Sequence, residues 1–141
     1  MTLIRSGLRI HKNEVESDIA DAFKLFAKWL RVNYDFPIRL PVYLSTKDKV
    51  TGRDGEKHIS IFFAPYDNGV EPYLSIATGD YLSLVEEDGK QNALFSLLHS
   101  LAIGVVKYQK WLSDNKNFDS YVSENDSEAL LYKYIEALEE E

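Results

Sequence analysis

The chain has 141 residues, of which 45% are hydrophobic and 28% are charged, and its formal net charge is −7. This length fits a single domain over residues 1–141, and the composition is typical of globular proteins rather than of disordered chains. The excess of acidic residues disfavours nucleic acid and anionic membranes as partners, because both are bound through clustered Lys and Arg.

The residue inventory also limits the compartment and the chemistry. The chain contains no cysteine, which excludes disulfides, Cys-ligated zinc, iron–sulfur clusters and thiol nucleophiles. The first dozen residues lack the apolar core of a signal peptide, and no stretch approaches the roughly 20 apolar residues of a membrane span. We therefore expect a cytoplasmic protein without a membrane partner.

The first predicted element is an amphipathic helix that begins at Asn13. Asn13 and Glu16 have the spacing of a capping box, and apolar residues recur at helical intervals as far as Leu30. Pro37 disfavours helix at the residue before it, so the helix is expected to end near Tyr34.

Three predicted strands follow this helix. Alternating apolar residues or β-branched and aromatic residues predict strands at Arg39–Ser45, His58–Ala64 and Glu71–Thr78. The polar segment Thr46–Lys57 is predicted to be a loop or a hairpin, and Pro65–Gly69 is predicted to be a turn. These strands predict a small, mainly antiparallel sheet.

Two helices are predicted in the last third of the chain, after a short segment at Asp80–Glu87. Gln91–Leu112 is apolar around most of its circumference, which predicts a buried central helix, and Gly104 within it predicts a close approach by another backbone. Asn125 and Glu128 repeat the capping-box spacing and predict the start of a terminal helix. The predicted fold class is therefore α+β, a small sheet packed on a long central helix with N- and C-terminal helices.

Three segments carry a resemblance to a known family. They are Glu71–Tyr81 (EPYLSIATGDY), Ala93–His99 (ALFSLLH) and Tyr108–Leu112 (YQKWL). Together they resemble small bacterial zincin-like metallopeptidases of the HExxH type. In that family a strand precedes the helix that carries HExxH, aromatic residues and a Gln-Trp pair follow, and a later helix carries an acidic third ligand. The resemblance covers residues 58–138 and implies a zincin-like fold.

The zinc motif of that family is absent here. In HExxH the two histidines hold the zinc from one helical face, and the glutamate is the general base. If His99 is the first histidine, Ser100 replaces the glutamate and Ile103 the second histidine. If the Tyr108–Leu112 segment sets the register, the motif falls on residues 103–107, which end at Lys107. Neither register preserves a site, so we predict no catalytic residue, no cofactor and no stoichiometric zinc.

Acidic residues occupy the region of the family's third ligand. Glu124, Asp126 and Glu128 precede Ala129, and we interpret them as serving the helix start and solvent, because Glu128 also belongs to the predicted cap. The degenerate metal-site positions are thus His99, Ser100, Ile103, Lys107, Glu124, Asp126 and Glu128. We predict that Ile103, with His99 or Lys107, faces the third strand and the terminal helix, and that a basic side chain or Ile103 itself fills the place of the metal.

A cleft edge is predicted beside this position. Tyr73, Ser75 and Asp80 are the residues expected to line it, with helix capping as the favoured role of Asp80. His99 is interpreted as lying on a polar stripe or making one satisfied hydrogen bond.

Three functions stay open on the sequence alone. The first is a non-catalytic zincin-like module that binds a peptide or protein partner through the former active-site cleft or a sheet edge. The second is an active metal-dependent hydrolase with His99, Glu124 and either Asp126 or Glu128 as ligands. The third is a structural or assembly subunit that dimerises through an aromatic patch. We favour the first.

Overall fold

A computed structural model describes residues 8–11, 15–51, 55–63, 72–113 and 124–139. These ranges form a mixed α+β structure, which confirms the predicted fold class. The elements in chain order are β1 (Leu8–His11), α1 (Ser17–Asn33), β2 (Leu40–Ser45), β3 (Val50–Thr51), β4 (Lys57–His58), β5 (Ser60–Phe63), β6 (Tyr73–Ala77), α2 (Tyr81–Asp88), α3 (Lys90–Ser113) and α4 (Glu124–Glu139). The turn predicted at residues 65–69 lies outside the described residues.

The main sheet has four strands in the order β1-β2-β6-β5. β1 pairs with β2 and β2 pairs with β6 in parallel, whereas β5 pairs with β6 in the antiparallel direction. The prediction of a mainly antiparallel sheet is therefore wrong for this sheet. One reason is β1, which the sequence pattern did not reveal: a strand placed before α1 makes α1 a crossover helix, and a crossover joins parallel strands. The other is that β5 lies outside β6, so that β2 pairs with β6 in parallel rather than with the next predicted strand.

The short strands β3 and β4 form a separate antiparallel pair. Both lie in or next to the segment Thr46–Lys57, so the predicted loop or hairpin is confirmed. Gly55 in this connection has a φ of 81°, a left-handed conformation that glycine adopts without steric cost.

The hydrophobic core lies between one face of the sheet and the helices. Val42 and Leu44 of β2 and Leu74 and Ile76 of β6 are buried on that face, where α1 and α3 pack. α4 packs on α3 and reaches α1, where the ring of Tyr134 stacks on a buried phenylalanine. The alternation of buried and partly exposed residues along β2 and β6 follows from the period of two in a strand.

α3 is the long central helix that the sequence predicted. Gly104 is buried in its middle, and a Cβ atom at this position would overlap the methyl carbons of Leu74. The predicted close approach is thus made by a side chain of β6 and not by a backbone. Neither α3 nor any other helix in the described ranges has the length and apolar character that a bilayer crossing requires.

Both predicted capping boxes are wrong. α1 begins at Ser17 with Glu16 at its N-cap and without a side-chain capping bond, and Asn13 lies outside the described residues. α4 begins at Glu124, which places Asn125 inside its first turn. In α1 the first buried residue is Ile19, and Val15, which precedes the helix, already packs against the core without being helical. The core contact on this side is thus made from outside the helix, and the local spacing does not set the helix start.

Candidate functional site

α3 crosses the sheet so that its two flanks face different strands. Trp111 packs its ring on Phe62 of β5, with the ring centroids 6.3 Å apart. Tyr108 bonds the main chain of Ile38, which lies just before β2. Gly104 lies between these two directions, against β6. One flank of α3 therefore faces β2, and the opposite flank faces β5.

Two of the degenerate metal-site positions lie on the flank toward β5. Lys107 and Ile103 come one and two turns before Trp111, and residues four apart share one side of a helix. Lys107 is exposed and Ile103 is half-buried. Gly104 contacts β6 through Leu74. The placement of Ile103 or Lys107 against the third strand and the terminal helix stays a prediction. Since Lys107 is exposed, it does not fill a buried place.

Gly104 occupies the position of the general base in the 103–107 register. The space beside it is taken by Leu74, whose Cγ would lie 2.9 Å from a Cβ at this position. Leu74 is fully buried, and the close packing of protein interiors leaves it little room to move. A glutamate side chain therefore does not fit at position 104 in this packing.

His99 is held by a residue that the sequence analysis did not single out. Its Nε2 atom lies 3.2 Å from the Oγ atom of Ser127 in α4, and Ser127 is fully buried. Ser127 lies in the buried stripe of α4 with Leu130, Leu131 and Tyr134. A small polar residue in such a stripe is the signal that could have identified it. The pair joins α3 to α4, and the buried hydroxyl is out of reach of a substrate.

The acidic residues of α4 do not converge on His99. Glu128 lines the same pocket as His99, whereas Asp126 lines a different pocket with Lys110 and Lys133. The reason is helix geometry, since residues two apart point about 200° from each other. The side chain of Glu124 lies outside the described part. Among the described side chains, no three His, Asp or Glu residues are placed to hold a metal ion.

The residues predicted to line a cleft edge do not lie at an edge of the sheet. Tyr73 and Ser75 lie in β6, which has β2 on one side and β5 on the other, so this strand is interior. Their side chains point to the face opposite Leu74, away from α3. Asp80 occupies the N-cap of α2 but makes no side-chain capping bond, so its predicted capping role is wrong as well.

The strand at the edge beside α3 is β5. The amide of Ala77 donates to the carbonyl of Ile59, and in an antiparallel pair such bonded positions alternate. Ile61 therefore also directs its main-chain groups toward β6. Ser60 and Phe62 direct theirs outward, where no described strand pairs with them. β5 thus combines a main-chain edge with the flank of α3 that carries Ile103 and Lys107.

Tyr108 fixes the other flank of α3. Its hydroxyl accepts a hydrogen bond of 3.1 Å from the amide of Ile38 and donates one to the carbonyl of the same residue. The side chain is fully buried, and burial raises the pKa of Tyr108 to about 12. This hydroxyl therefore stays neutral at physiological pH and anchors the loop that leads into β2.

No protein-family model matches the chain, and neither a curated protein nor a solved structure matches it. Among the described residues, the edge strand β5 lies beside the flank of α3 that carries the exposed Lys107. Leu74 fills the space beside Gly104, to which the resemblance in the 103–107 register would assign a general base.

Proposed function

We propose that this chain is a non-catalytic, zincin-like binding module that takes an extended peptide, or an extended segment of a protein partner, along the outer edge of β5. The observation that carries the proposal is the outward direction of the main-chain groups of Ser60 and Phe62, which pair with no described strand. Such edges are templates for strand addition, in which main-chain hydrogen bonds provide affinity.

The surroundings of β5 provide a basis for side-chain selectivity. A strand added to β5 would place alternate side chains on the two faces of the sheet. On the helix side these would lie beside Phe62 and the flank of α3 with Ile103 and Lys107. A half-buried isoleucine favours an apolar side chain, and an exposed lysine favours an acidic one.

The non-catalytic part of the proposal rests on the residues at the zinc positions. Ile103 has no ligand atom, and the protonated amine of Lys107 would repel a cation. Gly104 supplies no general base, and Leu74 occupies the space a base would need. An active hydrolase built on His99 finds less support, because Glu128 is the one described acidic residue of α4 that lines the His99 pocket, and no three described His, Asp or Glu side chains are placed to hold a metal ion.

The test begins with the selection of linear peptides from a displayed random library on the full chain. Binding of a selected peptide is then measured by fluorescence anisotropy with the variants Ser60→Pro and Ser60→Ala. Proline removes the outward amide, while the bonds from Ile59 and Ile61 to β6 remain, and proline is tolerated as the first residue of a strand.

We expect Ser60→Pro to weaken peptide binding by about tenfold or more, since a lost hydrogen bond and a ring against the incoming strand together exceed about 1.4 kcal/mol. Ser60→Ala keeps the amide and should stay within about twofold. Circular dichroism and the unfolding midpoint verify that both variants fold. A selected peptide that binds the proline variant as tightly as the parent chain would exclude β5 as the site.

A further inference from the structure

A second surface lies in a groove between α1 and the last turns of α4. The groove has a volume of about 360 Å³. Its rim holds three large apolar side chains that remain open to solvent: Leu25 is 59% exposed, Val32 is 66% exposed and Leu138 is 41% exposed. Single exposed apolar residues are ordinary, but three around one groove mark an interaction surface.

The floor of this groove consists of packed aromatic rings. Tyr134 of α4 lies with its ring centroid 4.4 Å from that of Phe26 and 5.4 Å from that of Trp29, both in α1. Tyr134 and Trp29 line the groove directly. Because these rings are held by one another and by the core, little conformational entropy is lost when a partner covers them.

The charges around the groove are divided between its two walls. Lys28 is the charged residue of the lining, and it belongs to α1. Within the described residues it forms no ion pair. The last turn of α4 contains no basic residue and carries the exposed Glu139, next to Leu138. An acidic group at the C-terminal end of a helix is unfavourable unless a cation lies near, because the helix dipole is negative there.

We propose that this groove is the interface between two copies of the chain. A two-fold axis running along the groove exchanges its walls, so that α1 of each copy lies on α4 of the other. Leu25 and Val32 then cover Leu138 of the second copy, and Lys28 approaches the acidic end of that copy's α4. The surface is self-complementary in charge, and this favours a second copy over an unrelated partner.

The experiment is sedimentation equilibrium of the full chain over a range of concentrations, with matched charge insertions. Val32→Glu places a carboxylate in the groove, whereas Leu82→Glu places one on α2 at a residue that is 65% exposed and lies outside the groove. We expect a dimer for the parent chain, a dissociation constant raised by about tenfold or more for Val32→Glu, and no change for Leu82→Glu.

A charge exchange supplies an independent readout. Lys28→Glu should weaken the dimer, and adding Glu139→Lys to the same chain should restore part of the affinity, since the two walls meet across the axis. A parent chain that stays monomeric up to about 1 mM overturns the proposal, because a specific interface associates below that concentration. A dimer that Val32→Glu leaves intact overturns it equally.

Discussion

The two flanks of α3 differ in how their residues are used. On the flank toward β2, the Tyr108 hydroxyl hydrogen-bonds to both main-chain groups of Ile38. Where α3 crosses β6, the Leu74 side chain packs directly against Gly104. On the flank toward β5, Ile103 is half-buried and Lys107 is exposed beside a strand edge. A position that the resemblance assigns to a catalytic base thus belongs to the core, whereas the neighbouring Ile103 and Lys107 remain partly or fully exposed.

The largest expected effect comes from placing a glutamate at the packed position. Gly104→Glu should lower the free energy of unfolding by about 3–5 kcal/mol, because it forces a side chain into Leu74 and buries a carboxylate. Chemical denaturation measures this loss.

The smaller change Gly104→Ala separates overpacking from charge. It should cost about 1–3 kcal/mol even though alanine favours helix by about 1 kcal/mol over glycine. In the double variant with Leu74→Ala, the combined loss should be less than the sum of the single losses. Additive losses would mean that the two residues do not compete for the same space.

Tyr108→Phe tests the flank toward β2. The variant leaves the amide and the carbonyl of Ile38 without their partner, and we expect a loss of about 1–3 kcal/mol. Tyr132→Phe is the matched control, since Tyr132 is exposed and its substitution should stay within about 0.5 kcal/mol.

The same tyrosine predicts a pH dependence at alkaline pH. Burial raises the pKa of Tyr108 from 10.0 to about 12, so the folded state keeps a proton that the unfolded state releases. This stability is fully present below pH 10 and is lost as the pH rises toward 12, by an amount on the order of 2 kcal/mol. Across this pH range, the free energy of unfolding should fall more steeply with pH for the parent chain than for Tyr108→Phe. Equal slopes would contradict the assignment.

His99 offers a smaller effect and a test of the hydrolase alternative. His99→Ala removes the bond to Ser127 and should cost about 1 kcal/mol. Added zinc should leave the unfolding midpoint of both the parent chain and the variant unchanged, and elemental analysis should find no stoichiometric zinc in the purified protein. A midpoint that zinc raises only when His99 is present would favour the hydrolase.

Lys107→Ala should have the smallest effect on folding. The side chain is exposed and lies on the flank of α3 toward β5, so we expect a change within about 0.5 kcal/mol by denaturation. A larger loss would show that the flank toward β5 is packed as firmly as the opposite flank.

Much of the fold could be predicted because it depends on local periodicity. The apolar circumference of Gln91–Leu112 gave the central helix, which spans Lys90–Ser113 in the structure. Alternation gave β2 and β6 to within a few residues. Leu8–His11 was missed, because four residues are too few to carry a strong signal even though apolar and polar residues alternate along them. The other parallel pair, β2 with β6, depends on β5 lying outside β6, which no local pattern specifies.

The candidate site could be predicted only in part, because its geometry depends on partners distant in the chain. Periodicity placed residues 99–107 in the central helix, but which side of that helix faces β6 depends on the packing of Gly104 against Leu74. The position of Ser75 in an interior strand depends on β5 pairing outside it. Ser127 was overlooked because a serine in a polar-rich segment resembles a solvated residue until the stripe around it is known to be buried.

Amide chemical shifts from a titration of the labelled chain with a selected peptide show where the peptide binds. If the peptide adds to β5, the largest changes fall on the amides of Ser60 and Phe62, which point outward, with smaller changes at Ile61. Changes should extend to Ile103 and Lys107 on the adjoining flank of α3. If the changes instead cluster around His99 and Glu128 and leave β5 unaffected, the β5 edge is not the binding site.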